Sequence, residues 1–268
     1  MRETYQLGGG AAAIYEEQKV PAIFAPLAEA TLDVVPLFGD ECILDVACGT
    51  GIVARKARAR IGPSARIVGV DLNEAMIDAA RNLTDANSRS CEWRTADVTK
   101  LPFEDRTFSV AFCQQGLQFF SDRELALREI ERVLQPGGRI ALTVWSEASA
   151  LFEALAESLR RHVNDEVAER SLAPFNHNGG DVLDSVLSKL GFIDVCAQIL
   201  TVDRVLSDPE SAIPKEIMGN PIGPTVAECG DAVMARIVDE VIEALTDYRR
   251  GPRFVFPTRT HLIQAKVR

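Results

Sequence analysis

An alternation constrains this chain more than any other feature. Short apolar runs recur along its first half, and a stretch with helical periodicity follows each of them. Cys42–Val46 (CILDV), Arg66–Val70 (RIVGV), Thr107–Cys113 (TFSVAFC) and Arg139–Trp145 (RIALTVW) read as strands, with a shorter one around Cys91–Thr95. Thr107–Cys113 is nearly all apolar, the pattern of a strand covered on both faces. Between the strands, Ile52–Ile61 is a helix rich in Ala and Arg. Asn73 caps a second helix carrying Met76, Ile77, Ala80 and Leu83 on one face. Ser121 and Glu124 make a capping box before the stripe Leu125, Ile130, Val133 and Leu134, and Pro136-Gly137-Gly138 ends that helix. Alternation at this spacing predicts a parallel sheet with helices on both faces and right-handed crossovers.

The second half is less regular. Leu151, Phe152, Leu155 and Leu159 form one helix face. Asp181 starts another, with Val182, Leu183, Val186, Leu187 and Leu190, closed by Gly191. Phe192–Val202 reads as a strand, and Ser207–Pro224, punctuated by four prolines, as a loop or short turns. Asp231 caps an amphipathic helix through Val233, Ile237, Val241 and Leu245, and Arg253–Val267 closes the chain as a strand. With 268 residues, 47% of them hydrophobic, the chain has the material for one sizeable core and a small lid. A formal net charge of −10 gives no electrostatic pull toward nucleic acid or anionic lipid, so neither is expected as a partner. The basic cluster Arg55, Lys56, Arg58 and Arg60 reads as a solvated helix face. No run is long enough for a membrane span, and the N-terminal Gly/Ala stretch is too weak for a signal core. Six scattered cysteines without a CxxC pair fit free thiols in a reducing cytoplasm, and no metal-ligand spacing is present.

Chemistry concentrates after the first strand. In Asp45-Val46-Ala47-Cys48-Gly49-Thr50-Gly51, small residues at 47, 49 and 51 let a ligand approach the backbone at the carboxyl end of the sheet. Asp71, 20 residues beyond Gly51, ends the second strand, where a carboxylate can accept from both ribose hydroxyls. These two features say adenosine cofactor, and a nicotinamide or flavin enzyme fits them equally. Three further segments separate the alternatives. Thr95–Val98, followed by Leu101-Pro102-Phe103, supplies Asp97 after the third strand. Gln114–Phe120 (QQGLQFF) follows the fourth, and Arg132–Arg139 (RVLQPGGR) leads into the fifth.

With LDVACGTG (Leu44–Gly51), GVDLNEAM (Gly69–Met76), LPFEDRTFSV (Leu101–Val110) and RVLQPGG (Arg132–Gly138) in order, the chain resembles the class I S-adenosylmethionine-dependent methyltransferases, within them the group of ubiquinone/menaquinone biosynthesis C-methyltransferases. The resemblance covers about residues 40–146. It implies an α/β, Rossmann-like three-layer sandwich: a mostly parallel seven-stranded sheet with an antiparallel C-terminal strand over Arg259–Val267, plus a helical lid. It also implies S-adenosyl-L-methionine as cofactor and S-adenosyl-L-homocysteine as product. Ala47, Gly49 and Gly51 then line the methionine portion, with Asp45 at its base and Cys48 carried in the same bend. Asp71 takes the ribose, Leu72 and Met76 lie beside the adenine, Asp97 and Val98 contact its edge, and Gln114 borders the sulfonium. Tyr15, within the opening Tyr15–Ala28 that is similar to the family's covering helices, either donates its hydroxyl to the cofactor carboxylate or packs. Ala47 departs from the glycine of many members, a mild narrowing.

The domain division expected is 1–38 as N-terminal cap helices, 39–204 and 252–268 as the cofactor-binding core, and 205–251, with parts of 150–180, as a lid over the substrate pocket. Phe24, Phe152, Phe175, Ile213, Ile217 and Met218 are its candidate apolar lining, which points to a small, aromatic or lipid-like methyl acceptor. Phe119, Phe120 and Trp145 read as core, and Gln118 as a loop residue satisfying backbone groups. His162 and His261 read as structural, leaving His177, in the loop Pro174–Gly180, as the candidate general base. Methyl transfer from a sulfonium needs no metal or triad, because the cofactor carries the activation. An NAD-dependent oxidoreductase and a catalytically silent binder of the same cofactor are the competing readings. A homodimer stays open.

Overall fold

The computed structural model describes residues 11–84, 91–176 and 185–268. The chain enters through a continuous helical run: α1 (Ala11–Ile14), a π-helical stretch (Tyr15–Phe24) and α2 (Ala25–Val34). Pro21 lies inside the π-helical stretch. A proline ring crowds the carbonyl four residues back and offers no N–H. The wider i→i+5 turn accommodates both, as in the bond from the Ala25 N–H to the Val20 carbonyl.

The alternation then unfolds as expected: β1 (Cys42–Val46), α3 (Ile52–Arg60), β2 (Arg66–Asp71), α4 (Glu74–Leu83), β3 (Glu92–Thr95), β4 (Phe108–Gln114), α5 (Arg123–Val133) and β5 (Leu134–Trp145). Next come α6 (Ala150–His162), α7 (Asp165–Leu172) and β6 (Phe192–Leu206). Three helices follow, α8 (Pro209–Met218), α9 (Gly223–Glu228) and α10 (Asp231–Ala244), before the two-residue β7 (Arg249–Arg250) and the long β8 (Arg253–Val267). One sheet holds all eight strands in the order β3-β2-β1-β4-β5-β8-β6, with β7 paired to β8. This is the seven-stranded sheet expected, extended by the short β7. β1 pairs in parallel with β2 and β4, so the strand order reverses direction between β1 and β4. A crevice opens at the carboxyl ends of strands where such a reversal occurs.

β8 runs antiparallel between β5 and β6, in register from Phe192↔Val267 to Leu206↔Phe254 with β6. β6 therefore ends at the carboxyl rim of the sheet and β8 begins there. Everything between them, α8 to α10, must sit at that same rim. Those helices share a core with α6, α7, Phe254 and Phe256. A second cluster joins α5 to one face of the central strands through Leu127, Ile130 and Val133. A third joins α2 and α3 to the other face through Leu32, Val53 and Phe112.

Several local expectations change. The N-cap of α5 is Asp122, whose carboxylate accepts the Leu125 N–H at 2.9 Å, and not Ser121. The phase shift of one residue puts Leu125 on the surface and Ala126, Leu127, Ile130 and Val133 in the core. Residues 207–224 are largely helical despite their prolines. Pro209 and Pro224 occupy first-turn positions where the missing N–H costs nothing, and only Pro214 sits inside a helix. Asp231 is the first residue of α10, with Gly230 at the cap position. The basic face of α3 is not merely solvated. Arg55 pairs with Glu16 at 2.8 Å, Lys56 with Glu29 at 2.8 Å and Arg60 with Asp33 at 2.7 Å, tying α3 to the entering helices. Such half-exposed pairs stabilise by no more than about 1 kcal/mol each. The helix expected from Asp181 falls partly outside the described residues; within them, residues 185–189 are helical and Leu187 is buried. Among the described residues no helix is long and apolar enough to cross a membrane, and the six cysteines are free.

Asp122→Ala removes the side-chain N-cap of α5 and is expected to lower stability by about 1 kcal/mol, read as a lower urea midpoint with an unchanged slope.

Candidate active site

The bend after β1 is held by two carboxylates doing different work. The buried Asp45 accepts the Ala54 N–H at 3.0 Å, satisfying one of the orphan donors in the first turn of α3. Asp71, at the end of β2, accepts the Gly49 N–H at 2.8 Å and the Asn73 N–H at 2.9 Å, one on each oxygen. The Leu72 N–H also bonds this carboxylate, and four acceptor positions on two oxygens still leave capacity for a ligand hydroxyl. Burial raises the pKa of Asp71 against the backbone N–H groups that lower it. Asp45, fully enclosed, is pushed up to about 7, chiefly by desolvation with a contribution from the nearby Asp71 charge.

The small residues of the bend divide by purpose. Gly49 adopts a φ of +56°, and a Cβ there would touch the Tyr15 ring at 3.7 Å, filling the gap that the glycine leaves between bend and ring. Gly51, at φ +83°, faces the Trp93 indole instead: a Cβ would lie 2.1 Å from the ring. Gly51 is thus small for packing under Trp93 and not for ligand approach. Ala47 has φ 52°, and its Cβ occupies the space a side chain at Gly116 would need, 2.6 Å away.

One cavity of about 330 Å³ opens at this rim. It brings together Tyr15, Ala47, Gly49, Asp71, Leu72, Met76, Asp97, Val98 and Gln114 from the residues expected to bind a cofactor. Asp45, Cys48 and Gly51 stand behind that lining. Asp97 also caps the turn after β3, accepting the Thr99 N–H and hydroxyl, both at 2.8 Å. Gln114 donates to the Phe24 carbonyl at 3.1 Å, stitching β4 to the entering helices, while its buried Oε1 has no partner among the described residues. Both amide atoms of Gln118 are likewise buried without a described partner at the cavity wall. Unsatisfied buried polar atoms around an open cradle are what a polar ligand at this rim would complete. The residues therefore fit a bound adenosyl group.

The cavity continues past β4 into an aromatic compartment. Tyr15 and Phe24 stack at 5.2 Å, Phe24 and Trp145 lie 6.3 Å apart, Trp145 and Phe175 6.1 Å, and Phe175 and Phe152 4.8 Å. Trp145, expected as core filler, is buried but forms part of this wall, and Phe119 and Phe120 line the rim side. Of the six apolar candidates, Phe24, Phe152 and Phe175 are on the wall. Ile213 and Ile217 point into the helical core, and Met218 is half exposed, because α8 turns its charged Glu216 toward the cavity. Lys19, Arg204, Glu216 and Asn220 also line the cavity and had no motif to announce them. His162 pairs with Glu240 at 2.7 Å, away from the cavity, and His177 lies outside the described residues. Among the described residues no cluster could hold a metal ion.

Residues 44–142 match the family model described as a methyltransferase domain. The match runs from β1 into β5, the parallel strands whose carboxyl ends carry the bend and Asp71. The chain is similar to the ubiquinone/menaquinone biosynthesis C-methyltransferase UbiE of Hahella chejuensis, 34% identical over 119 residues, which cover 44% of this chain and 48% of that protein. It is also similar to the demethylmenaquinone methyltransferase of Deinococcus radiodurans, 38% identical over 122 residues, 45% of this chain and 50% of that one. The chain thus spans about half the length of these curated relatives. Among solved structures, the YcgJ protein from Bacillus subtilis superposes with a TM-score of 0.60 at 19% identity, covering 90% of this chain and 97% of that one, a likeness of fold.

Two expectations follow from the geometry. Gly51→Ala must fit a methyl against the Trp93 ring at a positive φ, a loss of roughly 3 kcal/mol, read by urea denaturation. Asp45 has a folded-state pKa raised above its unfolded value, so its contribution to stability is full below about pH 4 and is lost as pH rises through about 7. Asp45→Asn keeps an acceptor for the Ala54 N–H and removes that titration. The melting temperature of the variant relative to the parent should therefore climb between about pH 4 and about pH 7.

Proposed function

We propose that this chain transfers a methyl group from S-adenosylmethionine to a small organic acceptor with an apolar or aromatic body. The observation that carries the proposal is the continuity of one cavity from the Asp71–Gly49 rim to the aromatic compartment, which offers adjoining places for a nucleoside and an acceptor. When bound, the cofactor supplies an activated methyl on a positively charged sulfur, whose departure leaves a neutral thioether. The chain's own part is positioning and exclusion of water.

On this reading Asp71 holds the ribose with its remaining acceptor positions. Leu72, Met76 and Val98 pack the adenine, and Asp97 faces its edge. Ala47, Gly49 and Tyr15 enclose the methionine portion, and Gln114, tied to Phe24, keeps its free carbonyl toward the sulfonium side. Asp45, Cys48 and Gly51 support the bend from behind. The entering helices, α6–α7 and α8–α10 act as the cover over the acceptor. The relatives named above are a ubiquinone/menaquinone biosynthesis C-methyltransferase and a demethylmenaquinone methyltransferase, matched over about half of each chain. The aromatic wall supports a flat apolar acceptor, of which a quinol ring is one kind.

S-adenosylhomocysteine at about 100-fold excess over its Kd should add roughly 2.7 kcal/mol of stability, seen as a raised melting temperature, while NAD(H) should add none. Stabilisation by NAD(H) alone would sink the proposal. Asp71→Ala should weaken binding of S-adenosylhomocysteine by at least about tenfold, the order expected for a lost charged acceptor, in calorimetric titration.

A further inference from the structure

Trp145 is the last residue of β5, and its backbone is held on both sides. It pairs with Thr260 of β8, and the next N–H, from Ser146, reaches the Arg259 carbonyl at 3.2 Å. Its side chain packs in a small cluster with Ile23, Leu27 and Val202 and lies between the rings of Phe24, at 6.3 Å, and Phe175, at 6.1 Å. The residue is 8% exposed and lines the cavity.

An indole is apolar except at one atom. Its Nε1–H donates one hydrogen bond and accepts none, and in a buried tryptophan that donor ordinarily has a partner. The other tryptophan of the chain keeps to this: Trp93 donates to Thr84 Oγ1 at 3.1 Å. Trp145 does not. Its N–H has no acceptor among the described residues, and protein atoms do not seal it off either. A donor is thus left open on the wall of a compartment otherwise lined here by rings. Such a donor is costly once a ligand expels water from it, unless the ligand brings an acceptor of its own.

Position separates this donor from the cofactor end of the cavity. Tyr15 faces Gly49 of the bend, Phe24 stacks on Tyr15, and Trp145 comes after Phe24. β5 also stands beyond β4 from β1, the strand that carries the bend. A neutral N–H among rings suits an uncharged oxygen better than an ionised one, whose lost hydration a single such bond does not offset.

We infer that the Trp145 N–H orients the methyl acceptor by donating to an uncharged carbonyl oxygen, carried on an apolar body that lies against Phe24, Phe175 and Phe152. The inference rests on the methyl-transfer reading of the same cavity. It makes Trp145 a specificity-determining residue and the acceptor an apolar carbonyl compound.

The test uses pairs of matched shape, acetophenone with isopropylbenzene and acetylnaphthalene with isopropylnaphthalene. Each is titrated into the whole chain with and without saturating S-adenosylhomocysteine. In a nitrogen–proton correlation spectrum of tryptophan-labelled protein, the Trp145 indole N–H is identified by its contacts with the Phe24 and Phe175 rings. The ketone of at least one pair should move that proton downfield, and the matching hydrocarbon should not. The Trp93 N–H, already bonded, should stay in place. Trp145→Phe keeps a ring in the wall and removes the donor. It should weaken that ketone about fivefold, the order of one neutral hydrogen bond, and change the hydrocarbon by less than about twofold. Loss of packing alone would weaken both alike. If the variant does not fold, the spectrum of the parent decides.

Binding of neither ketone, a bound ketone that leaves the Trp145 proton unmoved, or equal weakening of ketone and hydrocarbon in the folded variant would overturn the inference. So would S-adenosylhomocysteine that moves this proton downfield and displaces the ketones, since the donor would then serve the cofactor. If S-adenosylhomocysteine binds and the ketones fail, the Trp145 contact alone falls. If it does not bind, the methyl-transfer reading falls, and the bond from Trp145 to the ketone is still read in its absence.

Discussion

The bond from the Gly49 N–H to the carboxylate of Asp71 joins the ends of two neighbouring strands and sets the shape of everything above them. Parallel pairing of β1 with β2 places Val46 opposite Val70, so the bend and the acid emerge side by side. Asp45 anchors the far side of the same bend to α3. Between them the loop is held open, with Gly49 turned toward Tyr15 instead of collapsing onto it. The backbone of the rim is thus fixed by its own hydrogen bonds, which is the physical content of preorganisation.

The same sheet explains how a second compartment comes to lie beside the first. β8 returns antiparallel to β6, which obliges the chain between them to cross the carboxyl rim. The π-helical stretch reaches the rim from the other end of the sequence. Tyr15, Lys19, Ile23 and Phe24 all face the cavity from it. Residues nearly two hundred positions apart, Lys19 and Glu216, meet only because these two segments are stacked over one edge. The part of the cavity at the bend is built from loops tied to central strands, and the aromatic part from the entering helices, α6, the segment after α7 and the ends of β5 and β6.

The alternation of apolar runs and helical periods, the small-residue bend, the acid 20 residues on and the final strand were all legible by eye. Each is a local pattern, set by the period of a strand or helix or by the steric demand of a turn, and a linear reading captures such demands. Where the reading slipped, two local signals competed. Asp122 and Ser121 are both good caps, and one residue of phase decided that Leu125 would face water. Prolines marked residues 207–224 as loop, yet two of them sit where a helix tolerates them.

Other features had no local signature. Gly51 reads as a ligand-facing glycine until the Trp93 ring is seen against it, because that contact joins the start of α3 to β3. Arg204 in a strand and Glu216 in a helix look like ordinary surface charges, and only the packing of α8 over β6 turns them inward with Lys19. The amino-acid sequence by itself therefore determined the sheet and its rim, since those follow from periodicity and backbone sterics, while the class of cofactor came from the resemblance of its motifs to a family. The tertiary structure alone decided what lies opposite the cofactor, since burial and charge balance arise only when distant segments exclude water together.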